Sequence, residues 1–270
     1  WLNQLPSTNF SDNKFKRGCA LIVGGAKMTG AARLAARSAA RAGAGLVTIA
    51  APAIASNIYS NDDPSFLIKT FSNADDFVHL LDDERITSVL IGPGCGVNQT
   101  TIDITLSTLK KDKFVVLDAD ALTVFEDCRN DLMEAIQIGN VVLTPHEGEF
   151  SRLFNYTGDK LVRCRAAAAE TGAAVLLKGP DTVVAAPDGK AIINSNAPAN
   201  LATAGSGDVL SGLITGLLAQ GMGSFDGAAA SVWIHGQAAA NFGMGLIASD
   251  IPQLLPNIFE QLNKEMNEWD

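Results

Sequence analysis

The sequence has little charge, few aromatic residues and no long apolar run, and each shortage excludes a class of protein. Only 18% of the 270 residues are charged while 47% are hydrophobic. This excludes an intrinsically disordered chain, because the apolar surface is large enough to offset the entropy of ordering. Acidic residues outnumber basic ones by 29 to 20, so counterion-release binding to nucleic acid or to a membrane surface is not expected. An anionic ligand would therefore need a local site.

Cysteine is also scarce. The four cysteines, at positions 19, 95, 128 and 164, contain no closely spaced pair of the kind that binds zinc or forms a redox dithiol, so we expect reduced core residues. Gly, Arg, Asp or Lys interrupts every apolar run before the ~18 residues that a membrane span needs. The first residues do not resemble a signal peptide. These features predict a cytoplasmic protein.

Short apolar runs alternate with longer Ala-rich or amphipathic segments, which is typical of a parallel sheet covered by helices. Gly-rich or polar turns follow several of these runs. Ligands bind beyond the carboxyl ends of the strands in an open α/β sheet, so the functional site is expected at these turns. The predicted strands are 19–23, 45–50, 89–91, 114–117, 141–143 and 173–177.

The C-terminal part of the chain has a different pattern. Residues 182–186 and 190–193, joined by Pro-Asp-Gly, predict a hairpin and hence an antiparallel edge on the sheet. No repeat or linker is visible, so residues 1–270 are expected to form one α/β domain. The predicted helices are 29–41, 207–218, 225–241 and an amphipathic tail at 251–269.

The strongest chemical signal is Thr-Ala-Gly-Ser-Gly-Asp-Val-Leu-Ser-Gly at 203–212, which leads directly into an apolar helical run. Glycines allow successive N–H groups to point at one spot, and a helix N-terminus adds partial positive charge, so together they form an anion hole for phosphate. Asp208 would lie beside that hole as a base. Ser206 and Asp208 could instead cap the helix, but the flanking glycines and Thr203 favour the anion hole.

Two other strand ends carry polar groups. Residues 178–182, Lys-Gly-Pro-Asp-Thr, offer a point charge and close backbone approach for nucleotide phosphates, although an ordinary surface lysine in a turn fits them equally well. Residues 144–146, Thr-Pro-His, precede Glu147 and Glu149, whose charges are favourable at a helix start. A single histidine at such a position is more often structural than functional, so His146 taken alone is interpreted as structural.

Asp118 and Asp120 follow the strand at 114–117 with a spacing that suits two carboxylates reaching one cation through water. Capping of the next helix by Asp120 is the favoured interpretation, and no direct metal ligand is assigned. His79 and His235 lie in apolar helical segments without evident partners and are interpreted as structural.

From about Gly18 to Ile251 the chain resembles the ribokinase-like superfamily and, within it, the ADP/ATP-dependent NAD(P)H-hydrate dehydratases. Several segments match in the same order along the chain, and such a set is far more specific than a lone glycine motif. The resemblance implies a ribokinase-like three-layer α/β/α sandwich, with a mostly parallel central sheet and an antiparallel edge hairpin. Residues 26–28 and 199–201 depart from the commoner family pattern. The matching segments are 24–25 with 29–32 and 41–47, 92–96, 118–122, 143–150, 178–182, and 196–198 with 204–212.

The resemblance also implies roles for individual residues. Asp208 would be the catalytic base that deprotonates the attacking hydroxyl, and Gly205, Ser206 and Gly207 would form the anion hole. The residues implied to bind the hydrated dinucleotide are Ala31, Gly94, Gly96, His146 and Asp208. Those implied to bind the adenine nucleotide are Lys178, Gly179, Pro180, Asp181, Thr182 and Gly207.

By the same resemblance, the expected activity is repair of (6S)-NADHX and NADPHX, the forms of NADH and NADPH hydrated on the nicotinamide ring. ADP or ATP would be the co-substrate, with Mg²⁺. Phosphorylation would turn the ring hydroxyl into a good leaving group, whose departure restores the double bond. ADP is the expected donor, because the Thr-Pro-His-Glu-Gly-Glu form at 144–149 resembles the bacterial pattern. A homo-oligomer is expected from the family and the amphipathic tail.

Two alternatives stay open. A small-molecule kinase of this fold, acting on a vitamin precursor such as hydroxyethylthiazole, would share the base and anion hole but release a stable phosphate ester. A nucleotide-binding regulatory module would not need a carboxylate facing phosphates, so Asp208 argues against it. In many bacteria the resembling domain is fused behind an epimerase of the same pathway, and a chain that begins at Trp1 suits a fragment of such a fusion.

Overall fold

The computed structural model describes residues 1–136 and 140–268. Within these residues the strands form one nine-stranded sheet in the order β3-β2-β1-β4-β5-β6-β7-β8-β9. The strands are β1 (Cys19–Val23), β2 (Leu46–Pro52), β3 (Leu67–Phe71), β4 (Ile86–Ile91), β5 (Phe114–Leu117), β6 (Asn140–Leu143), β7 (Ala174–Leu177), β8 (Thr182–Ala185) and β9 (Ala191–Asn194).

The sheet is parallel from β3 to β7 and antiparallel from β7 to β9. In the edge hairpin, Thr182 pairs with Asn194 and Ala185 pairs with Ala191. The predicted parallel sheet with an antiparallel edge hairpin is therefore confirmed. Strand β3 was not predicted from the sequence.

Helices follow most of the strands. They are α1 (Thr29–Arg41), α2 (Ser56–Ser60), α3 (Ala74–Leu81), α4 (Gln99–Leu109), α5 (Asp120–Thr123), α6 (Arg129–Ile136), α7 (Glu147–Leu153), α8 (Lys160–Thr171), α9 (Ser206–Ala219), α10 (Ser224–Phe242) and α11 (Ile251–Glu268).

Alternate residues of the buried strands face opposite helical layers, because successive side chains of a strand point to opposite faces. In β1, Leu21 and Val23 pack with helices α3 to α8. Ala20 and Ile22 pack instead with α1, α9 and α10. Both faces of the sheet are therefore covered, which gives the three layers expected from the sequence.

Helix α9 lies unusually close to α1. A Cβ added to Gly212 would lie 2.2 Å from the Ala35 carbonyl oxygen, so only glycine allows this approach. Gly212 thus belongs to the packing of α9 against α1, although its place in the sequence suggested that it was part of the glycine-rich turn. This packing sets the position of the α9 N-terminus relative to the sheet.

Helix α11 lies on the outside of this layer. Its apolar stripe, including Leu255, Ile258 and Leu262, packs into a third cluster with α9 and α10. The amphipathic pattern of the tail is therefore used within the chain, and Trp269, the last residue of the predicted helix, lies outside the described residues. No helix in the described ranges is long and apolar enough to cross a membrane.

Candidate active site

The parallel strands bring their carboxyl ends to one edge of the sheet. The turns after β1, β4, β5, β6 and β7 lie there, and the N-terminus of α9 faces them. The polar or glycine residues that these turns contribute are Gly24 and Gly25, the segment 92–96, Asp118, the segment 144–146, and Lys178.

The N-terminus of α9 has the form of an anion hole. Gly205 precedes the helix in the left-handed conformation (φ 88°), and no side chain caps the helix, so the capping interpretation of Ser206 and Asp208 is wrong. The Ser206 N–H donates to the Thr203 carbonyl at 3.2 Å. Within the described ranges no hydrogen-bond acceptor meets the N–H of Gly207 or Asp208. These two groups are therefore available to an anion at the helix terminus.

Asp208 is half-buried beside this terminus. Burial raises the pKa of its carboxyl to about 6, and the negative charges of Asp118 and Asp120 act in the same direction, while Lys178 opposes them. A carboxyl with a pKa near 6 is mostly ionised at neutral pH yet holds a proton more tightly than an exposed aspartate. A carboxyl of this kind can accept a proton at neutral pH, which is what a general base requires.

Lys178 is the cation of the site. Its Nζ lies 2.7 Å from Asp118 Oδ1 and 3.8 Å from Glu149 Oε2. Burial alone would lower the pKa of Lys178, but the two carboxylates outweigh it and the pKa is raised. A Cβ added to Gly207 would lie 3.7 Å from Nζ, so the ammonium faces the helix terminus. An ordinary surface lysine was the alternative at position 178, but the Lys178 side chain is only 20% exposed and faces the helix terminus.

A cavity of about 590 Å³ opens beside Lys178 and the α9 terminus. Polar groups lie at this end, and its other walls are apolar. Asp181 is not among its lining residues; its carboxylate lies 3.1 Å from Lys160 Nζ instead. The lining residues are Lys178, Gly179, Pro180, Thr182, Ala197, Pro198, Ala199, Leu201, Ala202, Ser206, Gly207, Leu210, Val232 and His235.

The two histidines interpreted as structural differ from each other. His79 is exposed on α3, 3.7 Å from Asp82 and away from this edge of the sheet. His235 on α10 is buried and lines the cavity, where burial lowers its pKa to about 4. The sequence could not separate them, because both lie in apolar helical segments.

The turns after β1 and β4 touch each other. A Cβ added to Gly25 would lie 1.5 Å from the Gly94 carbonyl oxygen, so the two backbones are in direct contact. The buried Tyr59 hydroxyl donates to the Gly25 carbonyl at 2.7 Å and holds the first turn in place. A Cβ added to Gly94 would meet the carbonyl oxygen of Met28, to which Ala31 N–H donates. The structure thus brings Ala31 and the turn at 92–96 together.

Asp118 and Asp120 have different partners. Asp118 binds Lys178, whereas the Asp120 carboxylate accepts a 2.8 Å hydrogen bond from Gly96 N–H. Asp120 does not cap α5, whose N-cap is Ala119 without a side-chain bond. The predicted cap of α5 by Asp120 is therefore wrong, and each of the two carboxylates has a protein partner of its own.

His146 caps α7 and is also accessible. Its Nδ1 accepts from Glu149 N–H at 3.1 Å, and the Glu149 carboxylate accepts from His146 N–H at 2.9 Å, which is a reciprocal capping box. The imidazole nevertheless stays 55% exposed at the edge of the site. Since Nδ1 is the acceptor, Nε2 carries the proton of the neutral ring.

Glu149 is a site residue that sequence reasoning did not single out. It is buried and connects the capping box of α7 to Lys178. Its position three residues after His146 was visible in the sequence, but that spacing signals a helix start rather than a contact with another strand end.

The sequence is similar to that of a known enzyme family. The family model for NAD(P)H-hydrate dehydratase matches residues 20–259. An ADP-dependent (S)-NAD(P)H-hydrate dehydratase of Neisseria meningitidis is 35% identical over 263 residues, which is 92% of this chain and 86% of that protein. A bifunctional NAD(P)H-hydrate repair enzyme of Dictyoglomus turgidum is 32% identical over 276 residues, covering 94% of this chain and 53% of that one. The chain therefore spans about half the length of such bifunctional relatives.

Solved structures show the same fold. An ADP/ATP-dependent NAD(P)H-hydrate dehydratase from Bacillus subtilis, co-crystallised with ATP and Mg²⁺, has a TM-score of 0.83 and 26% identity, covering 97% of this chain and 95% of that one. A ribokinase-like superfamily protein from Enterococcus faecalis has a TM-score of 0.85 at 24% identity, with the same coverage. The fold is thus a ribokinase-like α/β/α sandwich, as expected.

Proposed function

Because the chain belongs to the NAD(P)H-hydrate dehydratase family, we propose that it converts (6S)-NADHX and NADPHX into NADH and NADPH with consumption of ADP or ATP. The observation that carries this proposal is Asp208. Its pKa is raised to about 6, and it lies at a helix terminus that faces the half-buried Lys178. A binding module would not need a proton acceptor at that point.

The cavity beside Lys178 would hold the adenine nucleotide. Its volume of about 590 Å³ lies within the range of about 300–1,000 Å³ typical of small-molecule sites. The phosphates would lie against the free N–H groups of Gly207 and Asp208 and the Lys178 ammonium. The adenine ring would contact the apolar walls, including Pro198, Leu201 and Val232.

The hydrated dinucleotide would approach Asp208 from the side of the glycine turns. Gly94 packs there against the Met28 carbonyl, to which Ala31 N–H donates, and Gly96 lies in the same turn. His146 keeps an exposed imidazole at the edge of this surface. In this arrangement Asp208 stands between the two ligands, which a transfer between them requires.

The proposed chemistry has two stages. The oxygen of the ring hydroxyl attacks the terminal phosphorus while Asp208 takes the proton of that hydroxyl. The bond from this phosphorus to the rest of the nucleotide then breaks. The new phosphate ester then loses its carbon–oxygen bond, phosphate departs with the electron pair, and loss of a proton from the neighbouring carbon restores the double bond. Hydroxide is a much poorer leaving group, which explains why the reaction consumes a nucleotide.

Mg²⁺ would accompany the nucleotide. The described residues contain no group of three or more His, Cys, Asp or Glu side chains arranged to hold a metal ion. The site therefore fits an ion that keeps its waters and is bound by the phosphates, as Mg²⁺ commonly is. When bound, the ion would neutralise charge on the transferred phosphoryl group. Lys178 and the α9 terminus would orient that phosphoryl group.

We also propose that residues 1–270 act as one domain, which the continuous sheet supports. The bifunctional relatives support pairing with an epimerase of the same pathway, either fused or separate. The four free cysteines support a reducing, cytoplasmic setting.

Self-association rests on the family alone, because the apolar face of α11 is buried within the chain. Light scattering at micromolar concentration tests it, and a strictly monomeric mass would remove it.

Mass spectrometry of the products from hydrated NADH and ADP tests the central proposal. The expected products are NADH, AMP and inorganic phosphate. A stable phosphorylated dinucleotide, or phosphorylation of a vitamin precursor in its place, would identify a kinase. Nucleotide binding without any product would identify a regulatory module.

A further inference from the structure

The Asp120 carboxylate has no role in its own helix or in an ion pair. It accepts the Gly96 N–H at 2.8 Å across 24 residues of sequence. Within the described ranges no lysine, arginine or histidine lies within salt-bridge distance of Asp120, which is half-buried. A hydrogen bond to an ionised acceptor is shorter and stronger than one between neutral groups. This carboxylate is therefore committed to one backbone group of the turn at 92–96.

Gly96 is held from both sides. Its N–H donates to Asp120, and its carbonyl accepts from the Thr101 hydroxyl at 2.7 Å. Gly96 itself adopts the left-handed conformation (φ 88°). Two side chains from different elements thus fix the peptide groups on either side of a residue that has no side chain to anchor it.

The rest of the turn has its own contacts, at Gly92 and Cys95. Within the segment, Cys95 N–H donates to the Gly92 carbonyl and Gly92 N–H donates to Cys95 Sγ. The Cys95 thiol also donates to the Val23 carbonyl at the end of β1 at 3.5 Å, and the Asn98 side-chain amide donates to the Cys95 carbonyl at 3.4 Å. Gly94 contacts the backbone that precedes α1 without making a hydrogen bond to it. Gly92 packs against the Asp118 carbonyl at one end of the turn, and at the other end the Asp120 carboxylate joins Gly96 to the same strand end.

We propose that Asp120 is a positioning residue for the hydrated dinucleotide, holding Gly96 so that the turn at 92–96 presents a fixed backbone surface to it. The inference rests on the proposed function, in which this turn binds the dinucleotide and the cavity beside Lys178 binds the nucleotide. A positioning role predicts an effect on one substrate only. A merely structural role predicts lower stability with no such separation.

The test compares Asp120→Ala with Asp120→Asn by steady-state kinetics with both substrates varied. Asp120→Ala loses the acceptor, so the KM for hydrated NADPH is expected to rise at least about tenfold, with the KM for ADP changed less than about twofold. Asp120→Asn keeps an oxygen acceptor of the same shape, and its KM for hydrated NADPH is expected to stay within about threefold of wild type.

Thr101→Val provides an independent variant, because it removes the donor to the other side of Gly96 and keeps the side-chain shape. It is expected to raise the same KM in the same direction as Asp120→Ala. Thr108→Val is the matched control. Thr108 is also buried on α4 and donates at 2.7 Å, but to the Ile104 carbonyl within the helix, so its removal should leave both KM values unchanged.

The outcomes separate the inference from the function on which it rests. Failure of wild type to convert the hydrate would refute the proposed function. An active wild type whose Asp120→Ala variant matches Thr108→Val in both KM values would refute the positioning role, as would an equal rise in both KM values. If Asp120→Ala does not fold, Thr101→Val decides the question by the same two constants.

Discussion

Lys178 Nζ donates a 2.7 Å hydrogen bond to Asp118 Oδ1, which joins the ends of β7 and β5 across the intervening strand β6. The Asp118 side chain is 2% exposed and that of Lys178 is 20% exposed. The pair therefore fixes a positive charge beside the α9 terminus and leaves one face of the ammonium towards the cavity. Neither residue could be assigned this partner from the sequence, where they are 60 residues apart.

Lys178→Met is expected to lose both activity and stability. Without the ammonium the phosphoryl group loses a charged donor, a loss of about 10²–10³-fold in kcat by analogy with oxyanion-hole donors. The uncompensated Asp118 carboxylate would cost about 3–5 kcal/mol in unfolding free energy. Chemical denaturation and single-turnover kinetics measure the two effects.

The double variant Lys178→Met/Asp118→Asn separates these effects. It removes the uncompensated charge, so stability is expected to recover substantially while activity does not. Recovery of activity in the double variant would mean that Lys178 serves only to neutralise Asp118.

Asp208→Asn is expected to abolish most turnover while keeping the fold and nucleotide affinity. The amide retains the size of the side chain but cannot accept the proton, and a general base contributes about 10²–10⁴-fold. Asp226→Asn is the control, because Asp226 also lies in the first turn of a helix, α10, outside the site. Retention of more than about a tenth of wild-type activity by Asp208→Asn would contradict its role as base.

The pH dependence of wild type should report the pKa of Asp208. Burial, Asp118 and Asp120 raise that pKa and Lys178 lowers it, to a net value of about 6. The base must be ionised to act, so kcat/KM is expected to fall about tenfold per pH unit below about pH 6. A profile that stays flat down to pH 5 would show that no group with this pKa controls the free enzyme.

The free energy of unfolding should depend on pH in the opposite direction to activity, through the same Asp208 carboxyl. The raised pKa means that the folded protein binds this proton more tightly than the unfolded chain, whose carboxyl has the ordinary value of 3.8. The associated stability is present at low pH and is lost as the pH rises through about 6. Asp208→Asn avoids that loss.

Its melting temperature is therefore expected to exceed that of wild type by about 2–4 °C at pH 7.5, an effect of about 1 kcal/mol. The difference should vanish below about pH 4. Calorimetry across this range measures it, and a variant less stable than wild type at pH 7.5 would show that the carboxylate stabilises α9 instead.

ADP is the expected donor. The prediction rests on the Thr-Pro-His-Glu-Gly-Glu form at 144–149, which resembles the bacterial pattern. The similar protein of Neisseria meningitidis is named as an ADP-dependent enzyme. The measurement is turnover of hydrated NADH with each nucleotide at matched free Mg²⁺. Turnover with ATP alone would contradict it.

Local patterns in the sequence determined most of the architecture. Apolar runs marked β1, β2, β4, β5, β6 and β7, and the Pro-Asp-Gly turn between 186 and 190 marked the hairpin, because strand and turn formation depend on neighbouring residues. Strand β3 escaped this reasoning, since it lies at the edge with an exposed Leu67 and lacks the continuous apolar run of a buried strand. The glycine-rich turn before Asp208 was enough to propose this residue as a base, and that role stays a prediction.

Only the tertiary structure decided which side chains meet. Asp120 was predicted as a helix cap because that contact is local, whereas its acceptor oxygen binds Gly96 on another strand end. His235 lies in an apolar helix like His79, yet it reaches the cavity because α10 packs against β6 to β8 at that edge. Contacts between distant segments depend on strand order and helix packing, and one sequence contains no local signal for either. The raised pKa of Asp208 has the same origin, since it follows from burial and from charges that the fold assembles around it.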